Sequence, residues 1–231
     1  PAEKMGVVFF VEQHGSIYCV SNLHNVSQYT ANFEDPFDSG PKENNGIKEQ
    51  WSLMSIPDLH ASKSQTVKEI ANDATFYQIS LAEQDIHCCK ESDIALFELD
   101  EFDPREFGYS PFTTTEGPKE GDTVEFESCH HQGTEDPRQI IRERGSGDVV
   151  SAGRLELNGS VEGVDDGVID FGEHSLYVIN VDVNLGPGTS GTPVIKGNNL
   201  VGIYRARYGK LQPPIYVFSH VDRIMELIDQ V

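Results

Sequence analysis

Ser190 lies in residues 184–194, a run that crowds three glycines and two prolines around one serine between two apolar stretches. Glycine adopts backbone angles that other residues resist, so peptide N–H groups near Ser190 can converge on one point. Such a turn can form an oxyanion hole, with the N–H groups of Gly188 and Ser190 as its donors. A serine hydroxyl is a weak nucleophile at neutral pH. It needs a base within reach, and the base needs an acceptor that fixes its tautomer and supports its positive charge. His24 and Asp93 occupy settings that suit those roles. His24 follows an apolar strand and the polar step Ser21-Asn22, while Asp93 opens Ile94-Ala95-Leu96-Phe97, whose burial would partly shield its carboxylate. The order His24, Asp93, Ser190 is one of the recurrent orders for such a triad. Taken singly, each has a plainer reading: an ordinary Gly/Pro loop, a surface or core histidine, and an acid that caps a strand, with Asp85 and Glu91 close by.

The elements that must position these residues read as strands. The chain has 231 residues, 37% hydrophobic and 24% charged, enough for one large or two small domains with a real core. Apolar runs recur between Gly, Pro, Asn and Asp, and helical periodicity is absent until the end. Gly6 to Val11 and Ser16 to Val20 flank a Gln13-His14-Gly15 turn. Residues 33–45 read as a long acidic loop. Trp51 to Ile56 and Ala74 to Leu81 read as strands, and Pro104 to Gly121 as a connector between halves. Further strands are expected at Asp122 to Ser128, Gly147 to Leu157, Leu176 to Val183, Thr192 to Ile195, Leu200 to Arg205 and Ile215 to Phe218. A helix is expected over 220–230 behind a Ser219 cap.

The formal charge of -21, from 38 acidic and 17 basic residues, repels phosphate backbones and anionic lipid, which argues against nucleic-acid and membrane partners. No apolar run is long enough to span a membrane. The four cysteines make no dense framework, and the adjacent pair Cys88-Cys89 suits ordinary bridging poorly, so the thiols read as reduced. That usage, with no visible signal peptide, favours the cytoplasm. The sequence opens at Pro1 rather than Met, which fits removal of a leader or membership of a larger protein. His87-Cys88-Cys89 and Cys129-His130-His131 lack zinc-site spacing, so neither a metal nor another cofactor is expected.

Three stretches together resemble the trypsin-like, chymotrypsin-fold serine proteases, and among them the disulfide-poor prokaryotic branch that includes the high-temperature-requirement proteases. Ser21-Asn22-Leu23-His24-Asn25-Val26 is similar to the family's T-N-x-H-V-V, Asp93-Ile94-Ala95-Leu96-Phe97 to D-I-A-L-L, and Gly188 to Val194 to G-x-S-G-x-P-V. Residues 121–124 and 147–154 look like the opening of the family's second barrel. The resemblance implies two six-stranded antiparallel β-barrels with a C-terminal helix, divided as 1–112 carrying His24 and Asp93 and 113–231 carrying Ser190. It implies endopeptidase activity on polypeptides with Ser190 as nucleophile, His24 as base and Asp93 as its orienter.

The same resemblance places Asn184, six residues before Ser190, at the base of the pocket for the side chain preceding the cleaved bond. It makes Tyr204-Arg205-Ala206-Arg207 an edge that pairs with substrate and walls that pocket, with Pro214 narrowing it from the opposite side. Asn184 offers no charge to hold Lys or Arg, whereas an inward arginine would grip a carboxylate. Cleavage after acidic or small residues is therefore expected. Thr189 stands where zymogen-type members carry an Asp that receives a newly cut N-terminus, so activation by such a cut is not expected. The alternative is a catalytically inactive protease-fold binding or scaffold module.

Overall fold

The computed structural model describes residues 6–26, 49–55, 65–66, 75–81, 87–98, 103–107, 109–132, 139–156, 168–186, 188–208, 211 and 213–231. In chain order these form β1 (Phe9–Gln13), β2 (Ser16–Asn22), α1 (Leu23–Val26), β3 (Glu49–Ser55), β4 (Gln65–Thr66), β5 (Thr75–Leu81), β6 (His87–Cys89), β7 (Ile94–Glu98), β8 (Thr113–Thr114), β9 (Thr123–Gln132), β10 (Gln139–Ala152), β11 (Arg154–Glu156), β12 (Val168–Asp170), β13 (Ser175–Ile179), β14 (Pro193–Lys196), β15 (Asn199–Tyr208), β16 (Ile215–His220) and α2 (Val221–Ile228). The expected loop over 33–45 lies outside the described residues.

The first hairpin forms as its sequence dictates. Gln13 pairs with Ser16, leaving a two-residue loop in which His14 (φ 53°) and Gly15 (φ 87°) both take positive φ, the turn whose twist matches the flanking strands. In the C-terminal half six strands close on themselves. Neighbours run β13, β16, β15, β14, β9, β10, and β10 pairs back onto β13, every contact antiparallel. Strand alternation buries both faces of this wall. Along β13 and β16, Leu176, Val178, Tyr216 and Phe218 fill the interior with Val124, Phe126 and Val194, while Tyr177, Ile215 and Val217 pack outside with Leu211. Phe126 and Phe218 stack at 5.1 Å between centroids.

The second barrel expected in the N-terminal half is not clearly shown by its described strands. They form a four-stranded sheet, β1-β2-β7-β6, a separate β3–β5 pair, and the short β4, which pairs with β10; they make no closed barrel among the described residues. The strand expected over 176–183 ends at Ile179, because Asn180 takes a positive φ of 54° that breaks the extended run. Residues 104–121 are more than a connector. Phe112 accepts from Glu12 N–H and donates to Phe10 carbonyl, and β8 then pairs in parallel with the start of β15, strapping the N-terminal sheet to the barrel.

Helix α2 crosses back onto that sheet. Val221, Ile224, Leu227 and Ile228, at helical spacing, are buried among Val20, Ile94 and Leu96. Each is worth about 1.5–3 kcal/mol when removed from water, so this face holds the helix in place, and a cap worth about 1 kcal/mol only sets where it begins. The expected Ser219 cap is corrected: Ser219 Oγ donates instead to Ser92 carbonyl at 2.5 Å, and His220 is the N-cap, its Nδ1 accepting from Asp222 N–H at 3.2 Å.

Burial holds the His220 imidazole below its ordinary pKa, only partly offset by Asp222. The unfolded chain therefore binds this proton more readily than the folded one. The stability tied to neutral His220 is present above the unfolded value of about 6.5 and is lost as pH falls from there through the lower folded value. Melting curves of wild type should drop more between pH 7 and pH 5.5 than those of His220→Asn, which keeps a capping acceptor without the titration. Equal drops would refute this role for His220.

Candidate active site

Asp93 sits in the turn before β7 with a positive φ of 53°, in a conformation that its short polar side chain tolerates. The turn is held on both sides. Its carbonyl accepts from Leu23 N–H and from Asn22 Nδ2, each at 3.0 Å, and the preceding Ser92 carbonyl accepts from Ser219. So fixed, the carboxylate takes two bonds from one residue: His24 Nδ1–H donates to Oδ2 at 2.6 Å and His24 backbone N–H to Oδ1 at 3.0 Å. The Asp93 side chain is 17% exposed and that of His24 43%, so the acid is shielded while the imidazole reaches solvent. An imidazole whose Nδ1 proton is committed to a carboxylate presents Nε2 as its basic nitrogen.

Ser190 is drawn to the same place by its backbone. Its carbonyl accepts from Asn25 Nδ2 and from Val7 N–H, both at 2.9 Å, which sets the Ser190 peptide against α1, one residue past His24. Ser21 completes this joint, donating to Val7 carbonyl at 2.9 Å and accepting from Asn25 Nδ2 at 3.2 Å. Within the loop, Thr189 N–H and Oγ1 both donate to Gly186 carbonyl, and Thr189 carbonyl accepts from Thr192 N–H and Oγ1. Gly191 N–H donates to Tyr204 carbonyl at 3.3 Å. Those bonds occupy the N–H groups of Thr189, Gly191 and Thr192. Among the described residues, the N–H groups of Gly188 and Ser190 have no acceptor, and Gly188 takes a positive φ of 90°.

The residues expected to contact substrate fare unevenly. Asn184 is exposed; its N–H donates to Glu143 Oε2 at 3.4 Å, which puts a carboxylate beside it. Tyr204 is also corrected. Its N–H donates to Thr192 carbonyl, its carbonyl accepts from Gly191, and its hydroxyl donates to Leu185 carbonyl, so it is buried with no backbone edge to offer. The edge opens beyond it: over 205–208, β15 pairs with β16 on one side and with no strand on the other among the described residues. Arg205 turns inward, its guanidinium carbon 4.9 Å from the Phe171 centroid. Arg207 is exposed, 5.5 Å over Tyr216, Ala206 packs against the outer cluster, and Pro214 stands partly exposed before β16.

Sequence reasoning missed Val7, Ser21, Asn25 and Phe171. Asn25 alone carried a signal, since it stands where the T-N-x-H-V-V pattern has valine. Cys19, Cys88 and Cys89 are free thiols, and burial pushes that of Cys19 up. Among the described residues, no group of three or more His, Cys, Asp and Glu side chains is placed to hold a metal ion, and no helix is long and apolar enough to cross a membrane.

No family model and no curated sequence matches the chain. Solved structures show a distant likeness to it. A scabies mite inactivated protease paralogue is 15% identical over 97% of this chain and 93% of its own, with a TM-score of 0.47. The inactive form of Rv3671c from M. tuberculosis H37Rv is 13% identical over 98% of this chain and 80% of its own, with a TM-score of 0.48. At that distance the likeness assigns no residue a role.

The joint at Ser190 requires glycine next to it. A Cβ on Gly191, whose φ is 95°, would lie 2.0 Å from Val7 carbonyl oxygen, and backbone cannot give way as a flexible side chain can. Gly191→Ala should cost about 2 kcal/mol or more in chemical denaturation. Gly197→Ala, also at positive φ but facing open space, should cost only about 1 kcal/mol. Equal losses would mean that the close approach to Val7 does not constrain the loop.

Proposed function

We propose that the protein is a serine endopeptidase. The observation that carries this reading is the double engagement of His24 by Asp93, through ring and backbone, beside a serine loop whose Gly188 and Ser190 N–H groups have no acceptor among the described residues. Ser190 Oγ attacks the peptide carbonyl as His24 Nε2 takes its proton. Asp93 keeps the imidazole in the required tautomer and supports its charge, and His24 then returns the proton to the leaving amine. Water, activated by the same nitrogen, hydrolyses the acyl-enzyme. The N–H groups of Gly188 and Ser190 receive the oxyanion, a contribution of about 3 kcal/mol per donor in comparable sites. The substrate backbone pairs with the open edge of β15 at residues 205–207. Nothing in these steps calls for a metal or cofactor.

Thr189 bears on activation. The loop is clasped by Thr189 through its own backbone and hydroxyl, so no incoming N-terminal amine is needed to order it.

A fluorophosphonate probe should label wild type at Ser190, and Ser190→Ala should lose both labelling and peptide cleavage while keeping its melting curve. Asp93→Asn should lower kcat/KM by about 10⁴-fold, because the amide supports the wrong tautomer. A wild-type protein that neither takes the probe nor cleaves a peptide library is the inactive binding module, and the endopeptidase assignment falls.

A further inference from the structure

Arg205 is the extra residue of a β-bulge, where the pairing of β15 with β16 shifts register between Tyr204 and Ala206. Bulges re-aim a side chain away from its regular alternation, and here the one before it is tied to the serine loop through Gly191 and Thr192. The re-aimed guanidinium lies over Phe171. Among the described residues its Nη1, shielded from solvent, has no hydrogen-bond partner, and no carboxylate forms an ion pair with the guanidinium. Asp93 is the foremost favourable charge it feels, ahead of Tyr177, Cys89 and Tyr208, yet both Asp93 oxygens are already engaged by His24. Burial is the larger influence and lowers the Arg205 pKa.

A guanidinium taken partly out of water without an anion is costly, and a carboxylate relieves that cost through paired, charge-assisted hydrogen bonds. Arg207 is in a different situation: it is exposed and solvated, so a ligand gains little by pairing with it. We infer that Arg205 is the specificity residue of the site, and that it receives the carboxylate of an Asp or Glu side chain in the bound polypeptide. This rests on the endopeptidase reading above for the placement of the chain along β15. The preference is local and opposed by the molecule as a whole, since a formal charge of -21 repels acidic ligands at long range. That repulsion is screened beyond about 8 Å at physiological salt, whereas a shielded pair at Arg205 is screened far less.

Binding and turnover are read separately. Two fluorescein-labelled random peptide pools, identical except that one carries Glu where the other carries Gln, are titrated by anisotropy into full-length Ser190→Ala protein, which cannot turn them over. The Glu pool should bind at least about tenfold more tightly, and raising the salt should preserve or widen that ratio. Adding Arg205→Gln should equalise the pools, Arg205→Lys should retain part of the preference, and Arg205→Glu should turn it toward a pool carrying Lys. Equal binding of the first two pools, or a Glu preference that survives Arg205→Gln, overturns the inference. A fall for both pools in parallel also overturns it, because that marks Arg205 as structural support. With an active enzyme, cleavage profiles of a denatured proteome should show Asp or Glu enriched at one fixed position beside the cut bond, and lost in Arg205→Gln. Should the pools discriminate as expected while wild type takes no fluorophosphonate, the endopeptidase reading fails and the site is one that binds acidic peptides.

Discussion

The carbonyl of Ser190 is the point on which the two halves agree. It accepts one bond from the segment that leads into β1 and another from α1, so a barrel loop is registered against the sheet that carries His24 and Asp93. Each bond is worth only about 1 kcal/mol net, but leaving the carbonyl shielded and unpaired would cost more than either gains. The bonds therefore act less as glue than as a restriction on where the loop can sit. Ser21 tightens it, because its one hydroxyl orients both the Val7 carbonyl and the Asn25 amide. Gly191 permits the approach, since any side chain there would collide with Val7.

Asp93 reaches its position by a different route, through burial. Ile94, Ala95, Leu96 and Phe97 are all shielded, alternating between a core under α2 and a smaller cluster with Cys19. Such a strand cannot slip by one residue without exchanging its two faces, so its first residue is fixed in space. The left-handed turn then presents the carboxylate to α1, and Ser219 anchors the turn from the strand that leads into α2. The apolar face of α2 thus bears on the acid at one remove. Cys19 in the smaller cluster is a free thiol.

What the sequence made legible was what a strong local pattern determines: the place of the first hairpin turn, the strands of the closed barrel and the terminal helix. Competition between partners hid the rest. Ser219 is the better capping residue by type, yet its hydroxyl is used by Ser92 and the cap passes to His220. Tyr204 falls in an edge-like run, but both its backbone groups are taken by the serine loop, which moves the open edge one residue on. Closure of β10 onto β13 joins residues far apart in the chain, and no local periodicity encodes it. Which way Arg205 points depends on a bulge, a single unpaired residue that leaves no trace in an alternation pattern.

These differences in origin separate two properties of the site. The groups assigned to bond-making are held by backbone: the turn at Asp93, the peptide at Ser190, the unengaged N–H groups of Gly188 and Ser190. Arg205, by contrast, is placed by a side-chain stack on Phe171 at a bulge, and no hydrogen bond of its Nη1 ties it to that framework. A framework fixed by backbone tolerates exchange of a side chain that rests on it, because no bond of the framework runs through that side chain. Asp93 attracts the Arg205 cation, but less than burial disfavours it.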